Sequence, residues 1–192
     1  MKDIILKPID LKVGDYHIIS LNGKDLENYH TAAEDVFKIL SDDETLQFIP
    51  EKRLRSVKDA QEWLFTNVLN FHTGRNYLQV IRSRKTGRLI GMIDLLSPAL
   101  VREDYQLKEY PYFLEFYLKS EARGANVMTV LLPELLRVLY ARGISNIAAV
   151  ADRSNLAARS VLARSGFVDQ GVFDLRKDLF EATDQARAKY AV

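Results

Sequence analysis

The 192-residue chain contains no cysteine. That inventory removes disulfides, thiolate metal sites and a cysteine nucleophile. Its histidines, His17, His30 and His72, are scattered without ligand spacing, so no metal is expected. No apolar run approaches the roughly 18 residues of a membrane helix. Met1 to Lys7 alternates charge with a short apolar stretch and lacks the long apolar core of a signal peptide. No membrane partner is expected, and cytoplasm is the default location. Charge of one sign is also missing: 27 Lys and Arg face 26 Asp and Glu, for a formal net charge of +1. Nucleic-acid binding, which typically needs a basic face, is not indicated. The small basic cluster Lys52, Arg53, Arg55 and Lys58 suits a solvated loop better than a ribosome-binding surface.

What is present is an ordinary globular composition, 47% apolar and 28% charged. The length suits one domain spanning 1–192. Tyr16 to Leu21 reads as a first strand before the turn signal Asn22-Gly23. From Asp25 to Leu40 an apolar stripe of Leu26, Tyr29, Ala33, Val36, Phe37 and Leu40 has helical spacing. Ser56 with Asp59 resembles a capping box opening a second helix that closes at Gly74. Tyr77 to Ile81 and Leu89 to Leu96 form a hairpin across Ser83 to Gly87. Pro98 to Pro111 reads as a long polar connection bordering a substrate site, and Tyr112 to Leu118 as another strand.

Val127 to Leu139 is apolar on nearly every side, as in a helix packed deeply on a sheet. Pro133 inside it predicts a kink or a late helix start. Asn146 to Ala151 is a strand, and Ser154 or Asn155 caps a short helix stopped by Gly166. Phe167 to Leu175 is a further strand, while Asp178 to Val192 fits either a terminal helix or a last strand.

The chemistry-bearing signal is a conjunction of strand, tight turn and buried helix around Glu121-Ala122-Arg123-Gly124-Ala125-Asn126. Such a junction aims unpaired backbone N–H groups and the positive end of a helix dipole at one point, which suits phosphate oxygens. Gly124 admits close approach, Asn126 tolerates a left-handed backbone, and Arg123 could add a charge-assisted bond.

Residues 155–167, Asn-Leu-Ala-Ala-Arg-Ser-Val-Leu-Ala-Arg-Ser-Gly-Phe, resemble the Asn-x-x-Ser-x-x-Val-Leu-x-x-x-Gly-Phe segment of the GNAT superfamily, specifically its RimJ/RimL-like branch of N-terminal acetyltransferases. Ser41 to Pro50 is similar to that branch's Ser-Asp-Pro-Glu motif, Thr86 to Gly91 to its Thr-Gly-x-x-Ile-Gly hairpin, and Arg123 to Met128 to its (Gln/Arg)-Gly-x-Gly-x-Ala turn. The resemblance covers roughly residues 16 to 175. It implies an α/β (α+β) GNAT fold: a mixed central sheet of six or seven strands, splayed between the fourth and fifth and flanked by about four helices. It also implies acetyl-CoA as co-substrate, an amine acceptor that is a protein N-terminus or a small molecule, and direct attack in a ternary complex. A homodimer is compatible with the sequence. By the same resemblance the turn Arg123, Gly124, Ala125, Asn126, Val127, Met128 and Thr129 holds the pyrophosphate of coenzyme A. Leu114, Phe116, Tyr117 and Leu118 line the pantetheine arm, with Asn155, Ala158 and Leu162 beside it.

The sequence departs from the branch at Asn126, where a second glycine is usual, and at Met128, where a small residue is. It departs again at Ala158, often a serine, and at Leu162, where many members carry a tyrosine that protonates the departing thiolate. Ser160 is a poor substitute, because five residues along a helix turn it about 140° from Asn155. Two carboxylates are candidate general bases. Glu115 is the only charged residue of its strand and could instead be a strand-end Glu paired with an Arg. Asp94 stands alone among apolar residues, where a structural hydrogen-bonding role competes. The departures motivate an alternative function, a coenzyme A-binding sensor or interaction module with impaired catalysis.

Overall fold

A computed structural model describes residues 6–21, 29–105, 107 and 109–183. In chain order the elements are β1 (Asp10–Val13), β2 (Tyr16–Ser20), α1 (Tyr29–Leu40), α2 (Asp43–Leu46), α3 (Val57–Thr73), β3 (Asn76–Ser83), β4 (Leu89–Leu96), α4 (Pro98–Asp104), β5 (Tyr112–Leu118), α5 (Val127–Ala141), β6 (Asn146–Asp152), α6 (Leu156–Arg164), β7 (Val168–Val172) and β8 (Lys177–Thr183). The strand order is β1-β2-β3-β4-β5-β6-β8-β7. The β5–β6 pair is parallel, while β1–β2, β2–β3, β6–β8 and β7–β8 are antiparallel.

The chain forms two compact units interleaved in sequence. The first gathers the described residues within Ile5–Leu95 and Phe116–Ala125, the second those within Leu96–Glu115 and Asn126–Val192. In the first, α1 and α3 pack their apolar stripes over β3 and β4. Val36, Ile39 and Leu40 meet Ala60 and Leu64 above Leu78, Val80, Met92 and Tyr117. The α3 helix opens as its sequence predicts, with Ser56 accepting from the Asp59 amide, and closes on Gly74 at φ 73°. In the second unit, Leu96, Val101, Phe113 and Ala148 form a separate cluster. There Tyr105 stacks on Phe113 with ring centroids 5.2 Å apart.

Several expectations change. The sheet gains β1, which four residues of alternating polarity did not announce. Pro98–Asp104 is helix rather than open connection: Pro98 takes the first turn, where no N–H is needed, and the Ser97 hydroxyl accepts from the Leu100 amide. Likewise α2 forms because Asp42 caps it. The α5 helix starts at Val127 and runs unbroken through Pro133, so the late start does not occur. Its five buried leucines, Leu131, Leu132, Leu135, Leu136 and Leu139, are each worth roughly 1.5–3 kcal/mol. Together they exceed the roughly 3 kcal/mol an interior proline costs. The C-terminal ambiguity resolves to a strand as far as Thr183. The Asn22-Gly23 turn, the start of the first helix at Asp25 and Leu26, and residues 184–192 lie outside the described residues.

Candidate functional site

Strand β5 leads into the turn. On the edge toward β4 the backbones are in close contact: a Cβ built on Gly91 would lie 2.5 Å from Leu118 Cδ2 and 2.7 Å from the Tyr117 carbonyl oxygen. The Lys119 amide then bonds Ile90 O at 2.9 Å. On the other edge, pairing with β6 is confined to Tyr112↔Ile147 and Phe113↔Ala148. Among the described residues this pairing ends at Phe113, although β5 continues to Leu118 and β6 to Asp152. The expected parting of the fourth and fifth strands of the sequence reading corresponds to this early end of β5–β6 pairing.

The end of β5 is fixed by a buried ion cluster. Lys119, 5% exposed, places Nζ 2.6 Å from Oδ1 of Asp35, 1% exposed on α1. Arg88 closes a fork on the same carboxylate through Nε at 3.0 Å and through Nη2. Burial by itself would raise the Asp35 pKa, but hydrogen bonds from Arg88 and Lys119 outweigh it and hold the carboxyl below its ordinary value.

Past Lys119, a 3₁₀ turn at Ser120–Ala122 leads to Gly124 at φ 72° and Asn126 at φ 57°. Asn126 is the one non-glycine residue with positive φ among those described. This explains why Asn can replace the glycine expected there: its short polar side chain tolerates the left-handed region. Asn126 is also the N-cap of α5, yet its side chain makes no capping bond. The contrast with other helices is direct. Asp42, Ser56, Ser97 and Asn155 each close the N-terminus of their own helix with a side-chain oxygen. The first ladder bond of α5 is from Val130 N to Asn126 O, at 3.1 Å. The amides of Val127, Met128 and Thr129 therefore precede the ladder of α5 and have no partner within its i to i−4 bonds. The side chains of Val127 and Met128 are buried, so these residues offer a ligand their main chain only. A Cβ on Gly124 would meet nothing within 4 Å, leaving the approach to the amides open.

Other sequence candidates occupy distinct settings. In the first unit, Phe116, Tyr117 and Leu118 continue β5 into the turn. In the second, Leu114 and Glu115 lie where β6 pairing has ended, with Glu115 half-buried. Asn155, rather than Ser154, caps α6: its Oδ1 accepts from the Ala158 amide at 3.0 Å, which leaves its Nδ2 the group for a ligand. Leu162 is 1% exposed, and a leucine offers no hydroxyl at that helical position. Asp94 is buried, and both its oxygens accept from Asn76 Nδ2, at 2.7 and 2.8 Å, in a network that includes Asn67. These are the hydrogen bonds that the sequence set against a catalytic role for Asp94.

Sequence reasoning missed the partners of Arg123. Its guanidinium donates to Glu44 at 2.6 Å and to Asp42 and Thr45. The signal was the Asp42 of the Ser41–Pro50 segment, 81 positions away. No group of three or more His, Cys, Asp or Glu suited to a metal occurs among the described residues.

The sequence profile of the acetyltransferase (GNAT) domain matches residues 26–168. No curated protein matches the sequence. Among solved structures, the ribosomal-protein-S5-alanine acetyltransferase of Vibrio fischeri is similar with a TM-score of 0.69 and 15% identity, covering 92% of this chain and 97% of that one. The acetyl transferase of Salmonella typhimurium that modifies the N-terminal serine of 50S ribosomal subunit protein L7/L12 gives 0.70 at 14% identity, covering 91% and 99%. The aminoglycoside acetyltransferase AAC(6')-Ib in complex with coenzyme A gives 0.68 at 15% identity, covering 92% and 99%. Identities this low establish the fold alone, whereas the profile spans most of the chain, and by that match the protein belongs to the GNAT acetyltransferase family.

Proposed function

We propose that the chain is a single catalytic domain that transfers an acetyl group from acetyl-CoA to a primary amine. The observation that carries this reading is the start of α5, where Asn126 makes no side-chain cap and the ladder begins only at Val130 N. A diphosphate supplies the acceptors such a turn lacks, and the helix dipole adds to the attraction. The residues present therefore fit coenzyme A.

Acetyl-CoA brings the acetyl group already activated as a thioester. The pantetheine arm lies along β5 beyond Phe113, where the pairing with β6 ends, and Asn155 Nδ2 offers it a hydrogen bond. Glu115 takes the proton that the acceptor ammonium must lose, directly or through a water, and a backbone N–H of β5 stabilises the oxyanion. With no cysteine in the chain, attack is direct, in a ternary complex. The acceptor is a protein N-terminus, as for the ribosomal-protein acetyltransferases of like fold, or a small-molecule amine.

Calorimetry with acetyl-CoA and thiol release over peptides, simple amines and aminoglycosides test this together. Binding with turnover on one acceptor class is expected, and Glu115→Gln lowers kcat by roughly 10²–10⁴-fold with acetyl-CoA affinity retained. Unchanged turnover in that variant removes Glu115 as base, and absence of cofactor binding overturns the reading. A second reading, a coenzyme A-binding sensor, is favoured by the buried Leu162 where a proton donor is usual. It predicts tight acetyl-CoA binding with no thiol released for any amine.

A further inference from the structure

The Arg123 guanidinium belongs to the turn, and three of its five N–H groups are already engaged. Nη1 meets Glu44 Oε2 at 2.6 Å, and Nη2 meets both Asp42 Oδ2 and Thr45 Oγ1. Asp42 is held from the other side by α2, accepting from the Thr45 amide at 2.9 Å and the Thr45 hydroxyl at 2.8 Å. The guanidinium and the Asp42 carboxylate are each about one quarter exposed. Charge-assisted contacts of this kind are the strong ones, and together these bonds tie one guanidinium to two carboxylates and a hydroxyl. Hydrogen bonding from Arg123 holds the Asp42 carboxyl below its ordinary value, so the pair is ionised at neutral pH.

We propose that Arg123 is a positioning residue and not a ligand of the diphosphate. Its side chain fastens the Gly124–Ala125 segment of the turn to the N-terminal cap of α2, presetting backbone that then meets the phosphates with amides alone. The inference rests on the coenzyme A-binding function proposed above, and it reverses the charge-assisted role that the sequence suggested. It also gives Asp42 and Glu44 a purpose that their charge opposes, since carboxylates beside an anion site repel the anion unless they are needed to hold something else.

That opposition supplies a test with a decisive sign. Asp42→Asn keeps an effective N-cap oxygen for α2 and removes one negative charge near the turn. If Arg123 grips phosphate, freeing it from Asp42 tightens acetyl-CoA binding. If Arg123 positions the turn, Asp42→Asn weakens binding by roughly tenfold, the size of one charge-assisted hydrogen bond. Arg123→Gln then weakens binding to a similar degree, and the double variant is no worse than either single one. Glu44→Gln, on an exposed residue, repeats the test with little risk to folding and is expected to weaken binding in the same direction. Titration calorimetry with acetyl-CoA reads all four variants. Tighter or unchanged binding in Asp42→Asn and Glu44→Gln overturns the proposal, as do additive losses in the double variant. A wild type without affinity for acetyl-CoA would instead overturn the function proposed above. Urea unfolding of the same ligand-free variants still judges the clamp in that event, coupled losses of stability supporting it and additive losses removing it.

Discussion

Replacing Gly124 by alanine separates the turn's backbone strain from its ligand. The residue sits at φ 72°, and a Cβ there meets nothing within 4 Å. The substitution therefore costs the ligand-free protein only the left-handed penalty of an L-residue, about 1–2 kcal/mol. For a domain of this size that corresponds to a melting temperature lower by roughly 2–8 °C. A methyl group at the same point blocks an anion from approaching the amides that follow. Losing one such charge-assisted contact is worth about 1.5–3 kcal/mol, or roughly 10–150-fold in acetyl-CoA affinity. Gly87 in the β3–β4 hairpin is a matched control, at φ 69° with nothing within 4 Å of its own Cβ. Gly87→Ala is expected to lower the melting temperature by a similar amount and to leave affinity unchanged. Scanning calorimetry and titration calorimetry on both variants give the comparison. Equal affinities in Gly124→Ala and Gly87→Ala would refute the idea that a ligand approaches the turn at Gly124.

Asp35→Asn removes the buried counter-charge of Lys119 and leaves it only the exposed Glu121 at 3.9 Å; breaking a buried pair costs up to about 3–5 kcal/mol, or roughly 6–20 °C in melting temperature. Because the folded Asp35 pKa is depressed, its stabilisation is complete above the unfolded value of about 3.9 and is lost as pH falls through the folded value. The stability gap between wild type and Asp35→Asn should thus hold steady near neutrality and narrow below about pH 4, which urea titrations at several pH values would show. Gly91→Ala drives a Cβ to 2.7 Å from the Tyr117 carbonyl oxygen, a backbone atom that cannot swing aside. A loss of about 1–3 kcal/mol is expected, and a urea midpoint equal to wild type would contradict that close approach.

The helices legible in the sequence were those with an apolar stripe and punctuation at both ends, as α3 shows between Ser56 and Gly74. Short elements escaped, because four to seven residues carry too little periodicity: α2 and α4 exist chiefly through the side-chain caps of Asp42 and Ser97. Pro133 misled in one respect, since a local rule priced the proline but not the leucine face buried around it. The turn at Gly124 was readable from its composition, whereas the occupation of Arg123 by Asp42 and Glu44 was not.

The amino-acid order by itself determined the family, the strand–turn–helix junction and the absence of thiol chemistry, because these depend on residue identity and on neighbours along the chain. Tertiary structure decided which charges meet. It turned Asp94 to Asn76, buried Lys119 against Asp35 and spent Arg123 on α2. Such pairings join residues 18 to 84 positions apart, and only the packing of elements brings groups so distant in the chain within hydrogen-bonding reach.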